Sequence, residues 1–148
     1  YYSGKKGTHT MKNALLVTTF GLIVWLGATH VGKVHDKPMV ENLNFHTPIK
    51  LLADLGFLGW NPKNATLILP YKKPRNTKNE KRELTQEQKD FNKELSKIRV
   101  KIENVLAHVK ILRIVKDKNR NYRFGFRENL MFTACSLYNF RLNYLKIV

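Results

Sequence analysis

Between Leu95 and Leu112 the sequence LSKIRVKIENVLAHVKIL repeats its apolar residues at helical spacing. With Arg99 set at zero and about 100° per residue, Leu95, Ile98, Ile102, Val105, Leu106, Val109 and Leu112 occupy an arc from about 220° to about 340°. A helix with so continuous an apolar stripe must cover another apolar surface, because packing supplies most of its stability. The same wheel puts Arg99, Lys110 and Glu103 at about 0°, 20° and 40°, a polar stripe flanking the buried face. A solvated ion pair four residues apart has this spacing too and is worth only about 0.3–0.5 kcal/mol, so spacing alone does not mark a site.

Strands are the surface available to such a helix. The runs ALLVTT and LIVWLGAT flank Phe20 and Gly21 and read as a hairpin, with strands over about 8–30. Ile49 to Ala53 reads as a buried strand ending at Asp54, with Gly56 and Gly59 just beyond, and the next strand covers about 66–69. Asp36 as a cap and Pro38 in the first turn predict a helix over about 37–45. Thr85 and Gln88 form a T-x-x-Q capping box that opens a helix over about 86–115, and an apolar helix follows over about 126–142. This order predicts an α/β fold, with helices on the faces of a mixed sheet. At 148 residues and 43% hydrophobic, the chain suits one domain.

From Met11 the sequence MKNALLVTTFGLIVWLGATHVG also resembles a secretory signal, which would make the chain a small secreted basic protein. Its apolar stretch falls short of the roughly twenty residues that span a bilayer, so no membrane partner is expected. Cys135 is the only cysteine, which excludes an internal disulfide, and its setting in LMFTACSLYNF predicts a packed thiol. The scattered histidines lack zinc-ligand spacing.

Charge points to a partner. Twenty-seven Lys and Arg against 11 Asp and Glu give a net +16, which calls for a polyanion or anionic surface, with nucleic acid in first place. The loop at 71–82 is rich in cations, and Lys72, Lys73 and Arg75 read either as a phosphate-contacting arm or as a solvated linker. A basic nucleic-acid-binding protein without catalysis satisfies these facts equally well. Asp54 sharpens the choice, because a carboxylate at the C-terminal end of a buried strand is where α/β folds place their sites. Paired with Glu103 on a basic protein, it points to Mg²⁺, which takes oxygen ligands and shares them with phosphates. Arg99 and Lys110 would then contact phosphates on either side.

At these residues the chain resembles the insertion-sequence transposases of the DDE type, the ribonuclease-H-like DDE superfamily endonucleases. Their Y-(2)-R-(3)-E-(6)-K motif is matched by Arg99, Glu103 and Lys110, with Ser96 where the tyrosine would stand. SGKKGTHTMKN, GKVHDK, ADLGFLG and SLYNFRL resemble further blocks of the family in the same order, with Phe57 replacing a tyrosine. The resemblance implies a ribonuclease-H-like mixed sheet flanked by helices and lacking its first strand. It also implies Asp54 as the second catalytic acid, with Asp36 as the competing candidate, and Glu103 as the third. Two Mg²⁺ ions in the full-length parent, Mn²⁺ as a substitute, DNA as substrate, a homo-oligomer on DNA and a bacterial cytoplasmic, nucleoid-associated location follow from the same resemblance. The family's first Asp lies in a DGT-like block upstream of SGKK. Residues 1–148 are therefore expected to form a single partial catalytic domain, inactive by itself.

Overall fold

The structure, a computed structural model, describes residues 2–3, 8–74, 83–117, 123 and 125–144, with side chains described from residue 10 onward. It consists of two compact units, one formed by Tyr1–Val34 with Val100–Val148 and the other by His35–Arg99. The fold combines α and β elements, and among the described residues the strands pair in twos.

In the first unit, β1 (Tyr2–Ser3) pairs with β2 (Thr8–His9), β3 (Met11–Lys12) with β6 (His30–Val31), and β4 (Leu15–Val17) with β5 (Ile23–Leu26), all antiparallel. The expected strands over 8–30 are thus short ladders. Side chains fill the gap between two of them: the Asn13 amide donates to the Gly27 carbonyl at 3.1 Å and to Thr29 Oγ1 at 2.8 Å. The stretch that resembles a secretory signal contains the β4–β5 hairpin. Its turn is closed by Thr18 N–H to the Leu22 carbonyl at 2.8 Å and Gly21 N–H to the Thr18 carbonyl at 2.9 Å. Gly21 has φ +88°, a conformation that a residue with a Cβ adopts only at a cost.

Among the described residues the α-helices are α1 (Gln86–Val109), α2 (Arg113–Lys116) and α3 (Phe126–Tyr144). The core of the first unit joins Ile23 of β5, Val105 and Val109 of α1, and Ala134 and Cys135 of α3, with Leu15, Val17, Leu26, Val115, Met131 and Tyr138 packed around them. Cys135 is buried there as a free thiol, and burial pushes its pKa above the ordinary thiol value. Among the described residues no helix is long and apolar enough to cross a membrane.

The Thr85–Gln88 capping box forms, with Thr85 N–H donating to Gln88 Oε1 at 3.2 Å and Gln88 N–H to Thr85 Oγ1 at 3.3 Å. The expected end of this helix near 115 is corrected, since α1 stops at Val109 and the chain breaks at Leu112, where ψ is 99°. Packing explains the break. Continued as one helix, Val115 would be rotated by about 240° from Val109, away from the core both now reach. Leu112, placed on the buried face by its spacing, is instead exposed at 37%.

In the second unit, β7 (Ile49–Leu52) and β8 (Ala65–Ile68) form a parallel pair, Ile49 opposite Ala65 and Leu52 opposite Ile68. The helix expected over 37–45 is corrected to a single 3₁₀ turn, Lys37–Met39. Its continuation is lost to other partners. The Phe45 N–H donates to the Lys63 carbonyl at 3.3 Å, and the Asn64 side chain donates to the Phe45 carbonyl at 2.8 Å. Asn64 itself has φ 57°, a left-handed conformation that asparagine tolerates. Among the described residues, Met39, Val40, Leu51, Trp60 and Leu95 are buried hydrophobic side chains of this unit.

Candidate functional site

Asp54 leaves the C-terminal end of β7 in an extended conformation, φ −85° and ψ 166°, and opens a 3₁₀ turn, Leu55–Phe57. Its Oδ1 accepts the Leu55 N–H at 2.8 Å. Its Oδ2 accepts from Arg99 Nη2 at 3.4 Å, in an ion pair whose side chains are 55% and 45% exposed. A pair this exposed contributes about 0–1 kcal/mol at most, so its interest is positional. It brings the end of β7, a strand of which only Leu51 is buried, against the arginine of the R-(3)-E-(6)-K spacing.

Asp36, the competing acid, occupies the N-cap position of the Lys37–Met39 turn, with φ −70° and ψ −36°. The capping expected of it is corrected: helical dihedrals turn its side chain away from the turn's own N–H groups, and it makes no cap bond. Its carboxylate lies over Gly56 instead.

Glu103 is exposed on α1, one helical turn beyond Arg99. Lys110 lies just past the last residue of α1, yet its N–H still bonds the Leu106 carbonyl at 3.0 Å, so it keeps its helical bearing and is exposed. Ser96, in the tyrosine position, turns its hydroxyl back onto the Asn92 carbonyl at 2.8 Å. Among the described residues no three His, Cys, Asp or Glu side chains are grouped as a metal site.

The sequence profile of the DDE superfamily endonucleases matches residues 1–139. The chain belongs to that family. It is also 33% identical over 147 residues to a protein of Microchaete diplosiphon described as "Probable transposase for insertion sequence element IS702". The match covers 96% of this chain and 50% of that protein, so the chain spans half the length of its relative. No solved structure matches.

In this family member the backbone is anchored where the basic segment begins. The Asn92 side chain takes both backbone groups of Tyr71, accepting its N–H at 2.8 Å and donating to its carbonyl at 3.0 Å. The Tyr71 ring meets Phe91 edge-on at 5.3 Å. Lys72 and Lys73 follow, both exposed, while Arg75 lies outside the described residues. Lys73 is not electrostatically alone: the Glu83 carboxyl is held below its usual range first by a hydrogen bond from Lys89, then by the charges of Lys89 and Lys73. Asn139 of α3 repeats the device in the first unit, accepting the Ile23 N–H at 3.0 Å and donating to the Ile23 carbonyl at 2.7 Å. Sequence reasoning missed both asparagines as anchors. The only signal was the position of Asn139 within SLYNFRL; a lone Asn92 in a polar helix gives none.

Proposed function

We propose that the chain is part of the catalytic domain of an insertion-sequence transposase, ribonuclease-H-like in fold, that cuts DNA at element ends and joins the resulting 3′-hydroxyl to target DNA. The Arg99–Asp54 ion pair carries this reading. It links the ADLGFLG block to Arg99, the first residue of the R-(3)-E-(6)-K spacing, across 45 residues of sequence.

Asp54 and Glu103 are the proposed ligands of Mg²⁺. Carboxylate oxygens suit a hard divalent cation, and Asp54 Oδ2 already faces a cationic group in the Arg99 guanidinium. A further carboxylate from outside the described residues is needed to complete the set, because none of them forms a three-ligand group. When bound, such ions favour deprotonation of the attacking group and steady the leaving oxygen. Arg99 and Lys110 hold backbone phosphates, and Lys72, Lys73 and Arg75 extend the contact along the strand, orienting DNA without reading its bases. A DNA substrate places the protein at the bacterial nucleoid, with more than one copy assembled where two element ends are joined.

Glu103→Gln in the full-length transposase tests the reading, because it removes a charge with almost no change of shape. Strand transfer with Mg²⁺ should drop to background while the protein still binds DNA. Strand transfer at the wild-type rate would remove Glu103 from the metal site and leave a basic DNA-binding protein.

A further inference from the structure

We propose that Tyr71 and Phe91 form a stacking platform for an unpaired DNA base, beside the lysines that take the backbone phosphates. This role rests on the proposed handling of DNA and extends it from phosphates to bases. The two rings meet edge-on, with centroids 5.3 Å apart and planes at 68°. Both stay open to solvent, Tyr71 at 49% and Phe91 at 39%. Apolar rings left in water gain by being covered, and every nucleobase has a flat face that can cover them.

The rings are held in place. Pro70 restricts the chain just before Tyr71, and the Asn92 side chain takes both backbone groups of Tyr71, accepting its N–H at 2.8 Å and donating to its carbonyl at 3.0 Å. Phe91 precedes Asn92 on α1, so one helical turn carries the first ring and fastens the second. A surface already ordered loses little freedom when a ligand settles on it. The anchor bonds the backbone of Tyr71, so it works with any side chain at that position and leaves the aromatic ring for another use.

Charge gives the platform a direction. Lys72 and Lys73 follow Tyr71 and are exposed. Glu87 and Glu94, four residues before Phe91 and three after it, are exposed on its side of α1. Two other carboxylates of this segment are engaged, Glu83 with Lys89 at 3.0 Å and Asp90 with Gln86 at 3.1 Å. Phosphates are therefore drawn to the Tyr71 side and kept from the Glu87 and Glu94 side, so that a strand follows Lys72 and Lys73 with a base turned in over the rings. Within a duplex the faces of that base are covered by its neighbours, which restricts the platform to unpaired strands. All of these residues lie within His35–Arg99.

Fluorescence anisotropy of the 148-residue chain with a labelled oligothymidine of about twelve nucleotides, and with a duplex of the same length, tests this. Tyr71→Ala and Phe91→Ala should each weaken binding of the oligothymidine by about 5- to 100-fold, the scale of one lost base–aromatic stack. The duplex should change by no more than about twofold, the scatter expected of uncoupled sites. Tyr71→Phe keeps the ring and should bind the oligothymidine as the unaltered chain does, whereas Lys72→Ala should weaken both ligands. A second measurement needs no substitution. An oligonucleotide carrying iodouracil, which couples on illumination to an aromatic side chain stacked against it, should give a cross-linked peptide containing Tyr71 or Phe91. This readout stands even where an alanine variant does not fold.

Oligothymidine affinity untouched by both alanine variants, or a cross-link found only at other residues, would overturn the inference while duplex binding kept the DNA reading in place. An equal loss on both ligands would overturn it too, since the rings would then not select unpaired bases. A chain that binds neither ligand would bring down the DNA reading itself, and the platform with it.

Discussion

Asn139 pairs with Ile23 as a neighbouring strand would, its amide accepting the Ile23 N–H and donating to the Ile23 carbonyl. Ile23 is also a member of the first unit's core, so one residue ties α3 to β5 through both its backbone and its side chain. Each partly buried backbone group would otherwise lose water without finding a partner.

Asn139→Leu keeps the bulk and deletes both bonds. It should destabilise the chain by about 1–3 kcal/mol, the cost of leaving such groups unsatisfied. Urea unfolding followed by far-ultraviolet circular dichroism measures this. An unchanged midpoint would show that the Ile23 backbone groups do not depend on Asn139.

Gly21→Ala tests the hairpin turn. The φ of +88° disfavours any Cβ, and the added methyl would come within 3.3 Å of the Tyr138 hydroxyl and 3.7 Å of Val105 Cγ2. A loss of about 1–2 kcal/mol is expected from the backbone alone. Tyr138→Phe should recover part of any excess above it, which a double-mutant cycle in urea would read.

Local rules were legible in the sequence. The Thr85–Gln88 box spans one helical turn, and the β4–β5 hairpin brackets its glycine, so short-range chemistry determines both. The end of α1 was illegible, because the apolar spacing runs on to Leu112 while tertiary packing of Val115 breaks the helix first. Asp36 shows the same limit: its sequence neighbours suggest a cap, whereas its carboxylate answers to Gly56, twenty positions on. The R-(3)-E-(6)-K spacing identified Arg99 as a residue of interest, but the carboxylate it meets lies 45 residues away in sequence and no helical wheel contains it.

Cys135 gives a pH dependence with a definite sign. Burial raises its pKa, so the folded state holds the thiol proton at pH values where the unfolded chain has released it. Stability from this group is complete below the ordinary thiol value and is lost as pH climbs from there through the raised value of the folded state. Tyr138, raised for the same reason, extends the loss to higher pH. The thermal midpoint should therefore fall as pH rises above about 9, and less steeply in Cys135→Ala. At neutral pH the native thiol should react with an aromatic disulfide far more slowly than in urea. Equal rates in the two conditions would mean that the thiol is accessible in the folded protein.

In the proposed DNA contact the basic side chains differ in what they can contribute. Lys72 and Lys110 are exposed, whereas the charge of Lys73 already acts on Glu83. Each phosphate contact on duplex DNA adds about 0.9 to the slope of log affinity against log salt concentration. Lys72→Ala and Lys110→Ala should each reduce that slope by about this amount, and Lys73→Ala by less, because the Glu83 carboxylate already offsets part of its charge. Fluorescence anisotropy with duplexes of unrelated sequence is the measurement, and the reductions should be the same on every duplex, since phosphates carry no sequence. A slope that none of the three substitutions alters would place the DNA track elsewhere on the protein. A loss confined to one duplex would mean that the altered lysine reads bases.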